Sequence, residues 1–146
     1  MRALACAGYS VFLDDALQPA FIADIPVAVK NTNEPQAPGT FITRTRPKNN
    51  LAISGIASTS GFASVYIKKY MMNREVGFVR RVLSVLEKYD VSFEHIVSGI
   101  DDIDVIFKED ALSKKEFEEM VAEIKAETAA DSIEKRDNLS LVMLVG

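Results

Sequence analysis

Two segments in the second half of the chain place apolar residues at positions i, i+3, i+4 and i+7, a spacing that aligns them on one side of an α-helix. These residues are Val79, Val82, Leu83 and Leu86 in the first segment, and Phe117, Met120, Val121 and Ile124 in the second. Ser113 and Glu116 precede the second segment at the spacing of a capping box, in which each side chain accepts a hydrogen bond from the backbone amide of the other residue. The pattern predicts two helices that each pack one face against a sheet.

Apolar and polar residues alternate in the segments around these helices, which is typical of β-strands. The predicted strands are LAISGIAS (51–58), FASVYIKKY (62–70), VSFEHIVSG (91–99), IDVIFKE (103–109) and NLSLVMLVG (138–146). The segment TSG (59–61) is predicted to separate the first two strands, and the acidic IDD (100–102) to form a tight turn. Residues 62–146 therefore have the ferredoxin-like βαββαβ order of an α+β fold, with an antiparallel sheet and two helices on one face.

The first half of the chain is short and rich in proline. A helix is predicted to end at Gly8, and a second short helix to lie in DDALQPAFIADI (14–25), with Asp14 or Asp15 near its start. Two strands are predicted in PVAVKN (26–31) and GTFIT (39–43). These elements are too few to cover both faces of a sheet, which indicates that this half is the last part of a larger domain.

Composition and charge narrow the classes of function. The chain has 146 residues, of which 48% are hydrophobic and 26% charged, and its net charge is -4. A nucleic-acid partner is not expected, because such binders normally carry a basic face. The locally basic segment RTRPK (44–48) is interpreted as a solvated linker rather than a phosphate-binding patch. Long apolar segments and a signal peptide are not visible, so we expect a cytoplasmic protein without a membrane partner.

The sequence shows no catalytic constellation. It has neither a Walker-type phosphate loop nor a dinucleotide fingerprint, and the single histidine, His95, has no partner at metal-ligand spacing. The single cysteine, Cys6, is expected to be a buried structural residue. The acidic segment DDIDVIFKED (101–110) is more simply explained as a turn and a solvated loop than as a cation site. We therefore predict no catalytic residue, no metal and no cofactor in this chain.

The segment YMMNREVGF (70–78) carries two methionines and a glycine in a loop that leads into the first predicted helix. One interpretation is structural: Met71 or Met72 fills the core, or Met72 and Phe78 do so together, and Glu94 is solvated. The other is a ligand site. Unpaired amides at a helix N-terminus favour a carboxylate, and Gly77 would admit a ligand to the backbone. The next strand, predicted to be a neighbour of this loop, would supply the Glu94 carboxylate and the Ser92 hydroxyl to an ammonium group.

Several long segments resemble a known family. ISGIASTSGFASVYI (53–67) and MNREVGFVRRVLSVLEKYDVSFEHIVSGIDDIDVI (72–106) resemble the regulatory region of monofunctional bacterial aspartate kinases, which is built from ACT domains. AGYSVFLDDALQPAF (7–21) and IPVAVKNTNEPQAPGTFI (25–42) are similar to the end of the amino-acid-kinase catalytic domain of the same family. The resemblance implies that residues 1–48 are the remnant of an α/β catalytic domain and that residues 49–146 are one ACT domain, without the second ACT domain of the family.

The family phosphorylates L-aspartate with ATP and Mg, in the biosynthesis of lysine, threonine and methionine. The resemblance implies that this fragment is not catalytic by itself, because the phosphate-binding and aspartate-binding segments are missing. Ser10 stands where many members carry a lysine, so no nucleotide contact is transferred to it. The implied role is feedback inhibition through a bound end-product amino acid, with lysine favoured and threonine as an alternative. Homo-oligomers through ACT domains are also implied.

The implied effector contacts come from the loop after the first ACT strand and from the start of the second strand. The matching residues are Met72, Asn73, Arg74, Gly77, Phe78 and Val79, together with Ser92, Phe93 and Glu94. On this interpretation Met72 is an apolar wall of the site and Met71 is the residue that fills the core. Members of the family often have Ser-x-Asp where this chain has Ser92-Phe93-Glu94. A stand-alone amino-acid-binding protein and a pure dimerisation module remain the alternative functions.

Overall fold

A computed structural model describes residues 17–42, 53 and 55–145 of the chain. The predictions for Cys6, Gly8 and Ser10, and for the linker at 44–48, lie outside these residues. The chain divides into two compact units, one formed by residues 60–141 and the other by residues 1–59 with 142–146. The assignment of residues 1–48 and 49–146 to separate domains stays a prediction.

The described elements follow the chain in a simple order. They are α1 (Gln18–Ile22), β1 (Val27–Val29), β2 (Thr40–Ile42), β3 (Gly55–Lys68), a 3₁₀ turn (Met72–Arg74), α2 (Phe78–Lys88), β4 (Phe93–Ser98), β5 (Asp102–Lys108), a second 3₁₀ turn (Glu109–Ala111), α3 (Lys114–Thr128) and β6 (Ser132–Val145).

Among the described residues of the first half are a short helix and an antiparallel pair of strands, which match the second predicted helix and both predicted strands. The helix predicted to end at Gly8 and the residues Asp14 and Asp15 lie outside the described residues. Strand β1 pairs with β2 so that Ala28 faces Phe41. Gly39 precedes β2 with a φ of 72°, and a Cβ atom there would lie 2.3 Å from the carbonyl oxygen of Val29. Only glycine fits this turn without moving the backbone of the neighbouring strand.

The larger unit contains most of a four-stranded sheet with the order β4-β5-β3-β6. Strand β5 is antiparallel to both of its neighbours, and Val105 pairs with Val65 of β3 on one side and with Ile96 of β4 on the other. Helix α2 connects β3 to β4, and α3 connects β5 to β6. This arrangement confirms the predicted ferredoxin-like βαββαβ fold.

One face of the sheet packs against both helices and forms the hydrophobic core. Most residues of the two predicted helical stripes lie in this core, although Val79 and Val121 are only partly buried. Leu83 is the exception: it lines an open groove, and Val85, outside the predicted stripe, is buried instead. The rings of Phe107 and Phe117 join sheet and helix with their centroids 6.4 Å apart. The core residues are Ala63, Val65, Ile67, Met72, Phe78, Val82, Val85, Leu86, Val91, Ile103, Val105, Phe107, Phe117, Met120, Ile124 and Ala130.

The capping box at the start of α3 is present as predicted. The backbone amide of Ser113 donates to Glu116 Oε2 at 2.9 Å, and the amide of Glu116 donates to Ser113 Oγ at 3.3 Å. These bonds satisfy amides that have no partner within the helix, which fixes the first residue of α3.

Two strand boundaries differ from the prediction. The predicted break at residues 59–61 is wrong, because β3 runs from Gly55 to Lys68 without interruption. Gly61 adopts a φ of 88° inside the strand, so the chain accommodates its turn-like residues without reversing direction. Strand β6 begins at Ser132 rather than at residue 138. Its first half carries exposed charged residues on an outer strand, and these concealed the alternation that the prediction used.

None of the helices in the described part of the chain combines the length and apolar character that a membrane crossing requires.

Removal of two methyl groups from the core should destabilise the fold far more than the same change on the surface. Val105 is fully buried between two strands, whereas Val76 is 94% exposed. We expect Val105→Ala to lower the free energy of unfolding by about 2 to 3 kcal/mol in urea titrations. Val76→Ala is the matched control and should change it by less than about 0.5 kcal/mol. Equal effects of the two substitutions would contradict the described core.

Candidate functional site

The loop between β3 and α2 has a defined backbone conformation. Met71 adopts a φ of 59°, the 3₁₀ turn follows, and Gly77 precedes the helix with a φ of 77°. The amide of Asn73 donates to the carbonyl of Ile100 in the β4–β5 turn at 3.1 Å, which attaches the loop to the sheet. The loop is therefore ordered by internal turns and by a contact with the neighbouring turn.

Met72 fills the core beneath this loop, and Met71 does not. Met72 is 5% exposed and Phe78 is 2% exposed, whereas Met71 is 42% exposed. The prediction that Met71 fills the core is therefore wrong. The left-handed backbone at Met71 turns its side chain away from the core that its neighbour enters. Met72 consequently acts as a structural anchor of the loop rather than as an open wall.

The first turn of α2 lies directly after Gly77, at the place predicted for a carboxylate. No side chain caps the N-terminus of this helix, and a Cβ atom at Gly77 would meet no atom closer than 3.8 Å. Glycine is therefore required here by the backbone angle and not by lack of space. Amides in such a turn attract anions because they have no partner within the helix.

Glu75 forms an ion-pair cluster at the centre of the loop. Its Oε2 atom lies 2.8 Å from Lys69 Nζ, and its Oε1 atom accepts a hydrogen bond from Arg81. Lys69 directly follows β3, and Arg81 is the fourth residue of α2. The side chains of these residues are 18 to 31% exposed. The carboxylate thus links the strand end to the helix across the loop.

The environment of Glu75 stabilises its charged form. The hydrogen bond from Lys69, followed by the positive charges of Lys69 and Arg81, lowers the pKa of Glu75 below its ordinary value of 4.5, although partial burial opposes this shift. Arg81 also donates to the carbonyl of Val76 at 3.4 Å. Glu75 is therefore ionised at neutral pH and holds the loop with its charge.

Lys69, Glu75 and Arg81 were not among the residues predicted for the site. They are six residues apart along the chain, a spacing that belongs to no regular helix or strand pattern. A possible signal was the single acidic residue between basic residues in KKYMMNREVGFVRR (68–81).

The second predicted half of the site lies at the start of β4. Phe93 is 47% exposed, and Ser92 and Glu94 are also exposed. Glu94 lies in an irregularity of the ladder, between the pairs that Phe93 and His95 form with β5. Its Oε1 atom lies 3.8 Å from Lys108 Nζ, a separation at which exposed ions interact weakly.

The two halves are not neighbours within one chain, so that prediction is wrong. Phe93 and Ala63 both pair with Phe107. Ala63 lies five residues before Lys68, where β3 ends and the loop begins, which corresponds to roughly 16 Å along the strand. Both β3 and β4 are antiparallel to β5 and therefore parallel to each other. The start of β4 consequently lies at the end of the sheet opposite to the loop.

An open groove connects the outer side of α2 with the start of β4. Its volume is about 740 Å³. Strand β4 occupies an outer position of the sheet, and Val97 on it is 53% exposed. The groove is lined by Arg80, Leu83, Ser84, Leu86, Glu87, Asp90, Val91, Ser92 and Phe93.

Acidic residues in the described ranges do not form a metal site. The residues 17–42, 53 and 55–145 contain no group of three or more histidine, cysteine, aspartate or glutamate residues placed to hold an ion. Asp101 lies in the β4–β5 turn, and Asp102 is the first residue of β5, where it accepts a hydrogen bond from the Tyr66 hydroxyl at 3.0 Å.

Comparisons with known proteins identify relatives over the whole chain. Aspartokinase 3 of Bacillus subtilis is 45% identical over 146 residues, which are 100% of this chain and 32% of that protein. The crystal structure of aspartate kinase from Clostridium acetobutylicum, an allosteric enzyme, matches with a TM-score of 0.87 and 41% identity, covering 99% of this chain and 34% of that chain. The chain thus spans about one third of the length of these relatives. No family model matches it.

A more distant match supports the fold. Aspartokinase III of E. coli in complex with lysine and aspartate matches with a TM-score of 0.70 and 21% identity, covering 98% of this chain and 33% of that chain.

The charge on Glu75 should contribute to stability only above acid pH. Because its pKa is lowered in the folded chain, the contribution is present above the pKa of the unfolded state and disappears as the pH falls through the folded pKa. We expect Glu75→Gln to destabilise the chain by a constant amount between about pH 6 and 8 and by progressively less below about pH 4.5. Urea titrations across this range measure the difference. A difference that does not change with pH would contradict the ion-pair cluster.

Proposed function

Because the chain is homologous to the aspartokinases over its whole length, we propose that it is the regulatory region of such an enzyme and binds an amino acid that inhibits it. The observation that carries this proposal is the 45% identity to a bacterial aspartokinase over all 146 residues. The TM-score of 0.87 to a solved aspartate kinase supports it. The reaction under control would be the ATP-dependent phosphorylation of L-aspartate in lysine, threonine and methionine biosynthesis. Such an enzyme would work in the cytoplasm.

We propose that catalysis and regulation belong to different parts of the enzyme. Residues 1–48 would be the end of the catalytic domain and residues 49–146 an ACT domain. ATP and Mg would bind to parts of the enzyme that this chain does not include. On this proposal the described residues bind the amino-acid effector and transmit its effect to the catalytic domain. None of them takes part in phosphoryl transfer.

Lysine is the first effector to test, and threonine is the second. The α-carboxylate would accept hydrogen bonds from the uncapped first turn of α2, next to Gly77. The ammonium groups of lysine need a carboxylate, which Glu94 offers. The complex of the distant E. coli relative with lysine is a further reason to begin with this amino acid.

A second copy of the chain would complete the site. If the exposed β4 strands of two copies pair antiparallel over their full length, with the two-fold axis at the middle of the strand, Phe93 of each copy would lie beside Ser98 of the other. Ser98 leads to Ile100, whose carbonyl accepts the amide of Asn73 in the loop. The loop of one copy and residues 92–94 of the partner subunit would then lie close together. Homo-oligomerisation and ligand binding are thereby proposed to use the same edge.

The two alternative functions, a stand-alone amino-acid sensor and a pure dimerisation module, require different parts of the chain. A stand-alone amino-acid sensor does not need the first half, yet the similarity to aspartokinases extends through it. A pure dimerisation module would leave the loop and the start of α2 without a ligand. Both alternatives are weaker than the proposal, and binding measurements separate the last one from it.

Calorimetry of the chain with lysine, threonine and methionine tests the effector. We expect lysine to bind and Glu94→Gln to weaken binding by about tenfold or more, because the bond to the ammonium group loses its charge. Glu118→Gln is the control, since Glu118 is an exposed carboxylate on α3, and it should leave the affinity unchanged. Absence of binding by all three amino acids, to a chain that self-associates, would favour the dimerisation module instead.

A charge on the outer strand should separate the two copies and abolish the shared site. We expect Val97→Glu to shift the chain towards monomer in sedimentation experiments, because it introduces a buried charge between two identical edges. Lysine affinity should fall by about tenfold or more with it, since half of the site is lost. Val97→Thr keeps a β-branched residue at the edge and should change both properties much less. A monomeric variant with full affinity would refute the two-copy site.

A further inference from the structure

Lys69 is bonded to two different parts of the larger unit. Its ammonium group lies 2.8 Å from Glu75 Oε2 in the loop, and it also donates to the carbonyl oxygen of Thr128, the last residue of α3. The same nitrogen lies 5.8 Å from the centre of the Phe78 ring. A partly buried ammonium with 18% exposure thus joins the loop to the C-terminus of the second helix.

The connection between α3 and β6 is attached to the loop at further points. The amide of Asp131 donates to the carbonyl of Lys68 at 2.8 Å, and Asp131 Oδ2 accepts the amide of Tyr70 at 2.7 Å. Ala129, the C-cap residue that follows α3, has a left-handed φ of 48°. This connection leads directly into β6 at Ser132. The start of the loop and the start of β6 therefore share a network of hydrogen bonds.

We propose that Lys69 transmits the state of the ligand loop to the α3–β6 connection, as a positioning residue between Glu75 and the carbonyl of Thr128. The inference rests on the proposed function for the identity of the loop as a ligand site. It goes beyond that function because it assigns a route by which occupancy reaches β6.

Electrostatics explain why the two contacts depend on each other. The carboxylate of Glu75 offsets the cost of holding an ammonium ion with little water around it. If the loop moves and Glu75 withdraws, the ammonium loses this partner and turns towards solvent. The C-terminus of α3 then loses a cation that interacts favourably with its last carbonyl groups. A movement of Glu75 thus loosens the α3–β6 connection through Lys69, which contacts both parts of the structure.

Hydrogen exchange of the chain without any amino acid tests this coupling. We expect Glu75→Gln to accelerate exchange about five- to tenfold at the amides of Ala129 and Asp131 as well as at the amides of Asn73 and Glu75 in the loop. Amides of the central strand β5 should keep their rates. Glu118→Gln removes an exposed carboxylate of α3 itself and serves as the matched control, with no acceleration expected.

A second variant separates transmission from a simple loss of structure. In a Lys69→Met background, the addition of Glu75→Gln should accelerate the loop amides but have no further effect at Ala129 and Asp131. Lys68→Met, a change of the adjacent exposed lysine, should preserve the coupling. Acceleration confined to the loop in Glu75→Gln, no acceleration at all, or equal acceleration throughout β5 would each overturn the proposal.

The outcome is independent of the effector. If calorimetry finds no amino acid that binds, the proposed function fails while the exchange result still decides the coupling. If lysine binds, it should slow exchange at Ala129 and Asp131 in the native chain and lose this effect in Lys69→Met, although it still protects the loop.

Discussion

Burial of one sheet face beneath α2 and α3 is the constraint on which the candidate site depends. For Val82 and Leu86 to reach this face, α2 must begin above the end of β3 and run back across the sheet. The loop that connects β3 to α2 is short, so it must pass over the edge of the core. Met72 and Phe78 fill that edge. The apolar residues in an otherwise polar loop thus follow from packing, and they place the open N-terminus of α2 at a fixed position on the sheet.

The apolar residues anchor only one side of the loop. Its polar side is fixed by ion pairs. Glu75 lies between two basic residues from the elements on either side, and Lys69 extends the contact to α3. An exposed ion pair contributes little to stability, but these side chains are mostly withdrawn from water and share partners. The main effect of these ion pairs is to fix one conformation of the loop. Three elements of the fold meet at a single carboxylate and a single ammonium group.

The sequence was sufficient for the fold class, because the order of helices and strands depends on periodicity, whereas the effector contacts stay a prediction. The stripes of α2 and α3, the capping box at Ser113 and the order of the strands were all predicted from spacing. Periodicity could not decide between Met71 and Met72, because a left-handed residue before a 3₁₀ turn reverses which neighbour points inwards. The position of Glu94 was wrong for a different reason. In the predicted βαβ crossover the two strands are parallel, so the start of β4, with Glu94, lies at the end of the sheet opposite to the loop that follows β3.

The separation of the two halves has a thermodynamic consequence if two copies complete the site. A ligand that contacts both copies binds only the associated form, so its free energy of binding adds to the free energy of association. Association and ligand binding are then coupled by linkage, and neither needs a large movement within one copy. The proposed coupling would also have to reach residues away from the interface. The loop is hydrogen-bonded to the α3–β6 connection through Lys69 and Asp131, and on our inference these bonds would carry the effect of the ligand to the start of β6.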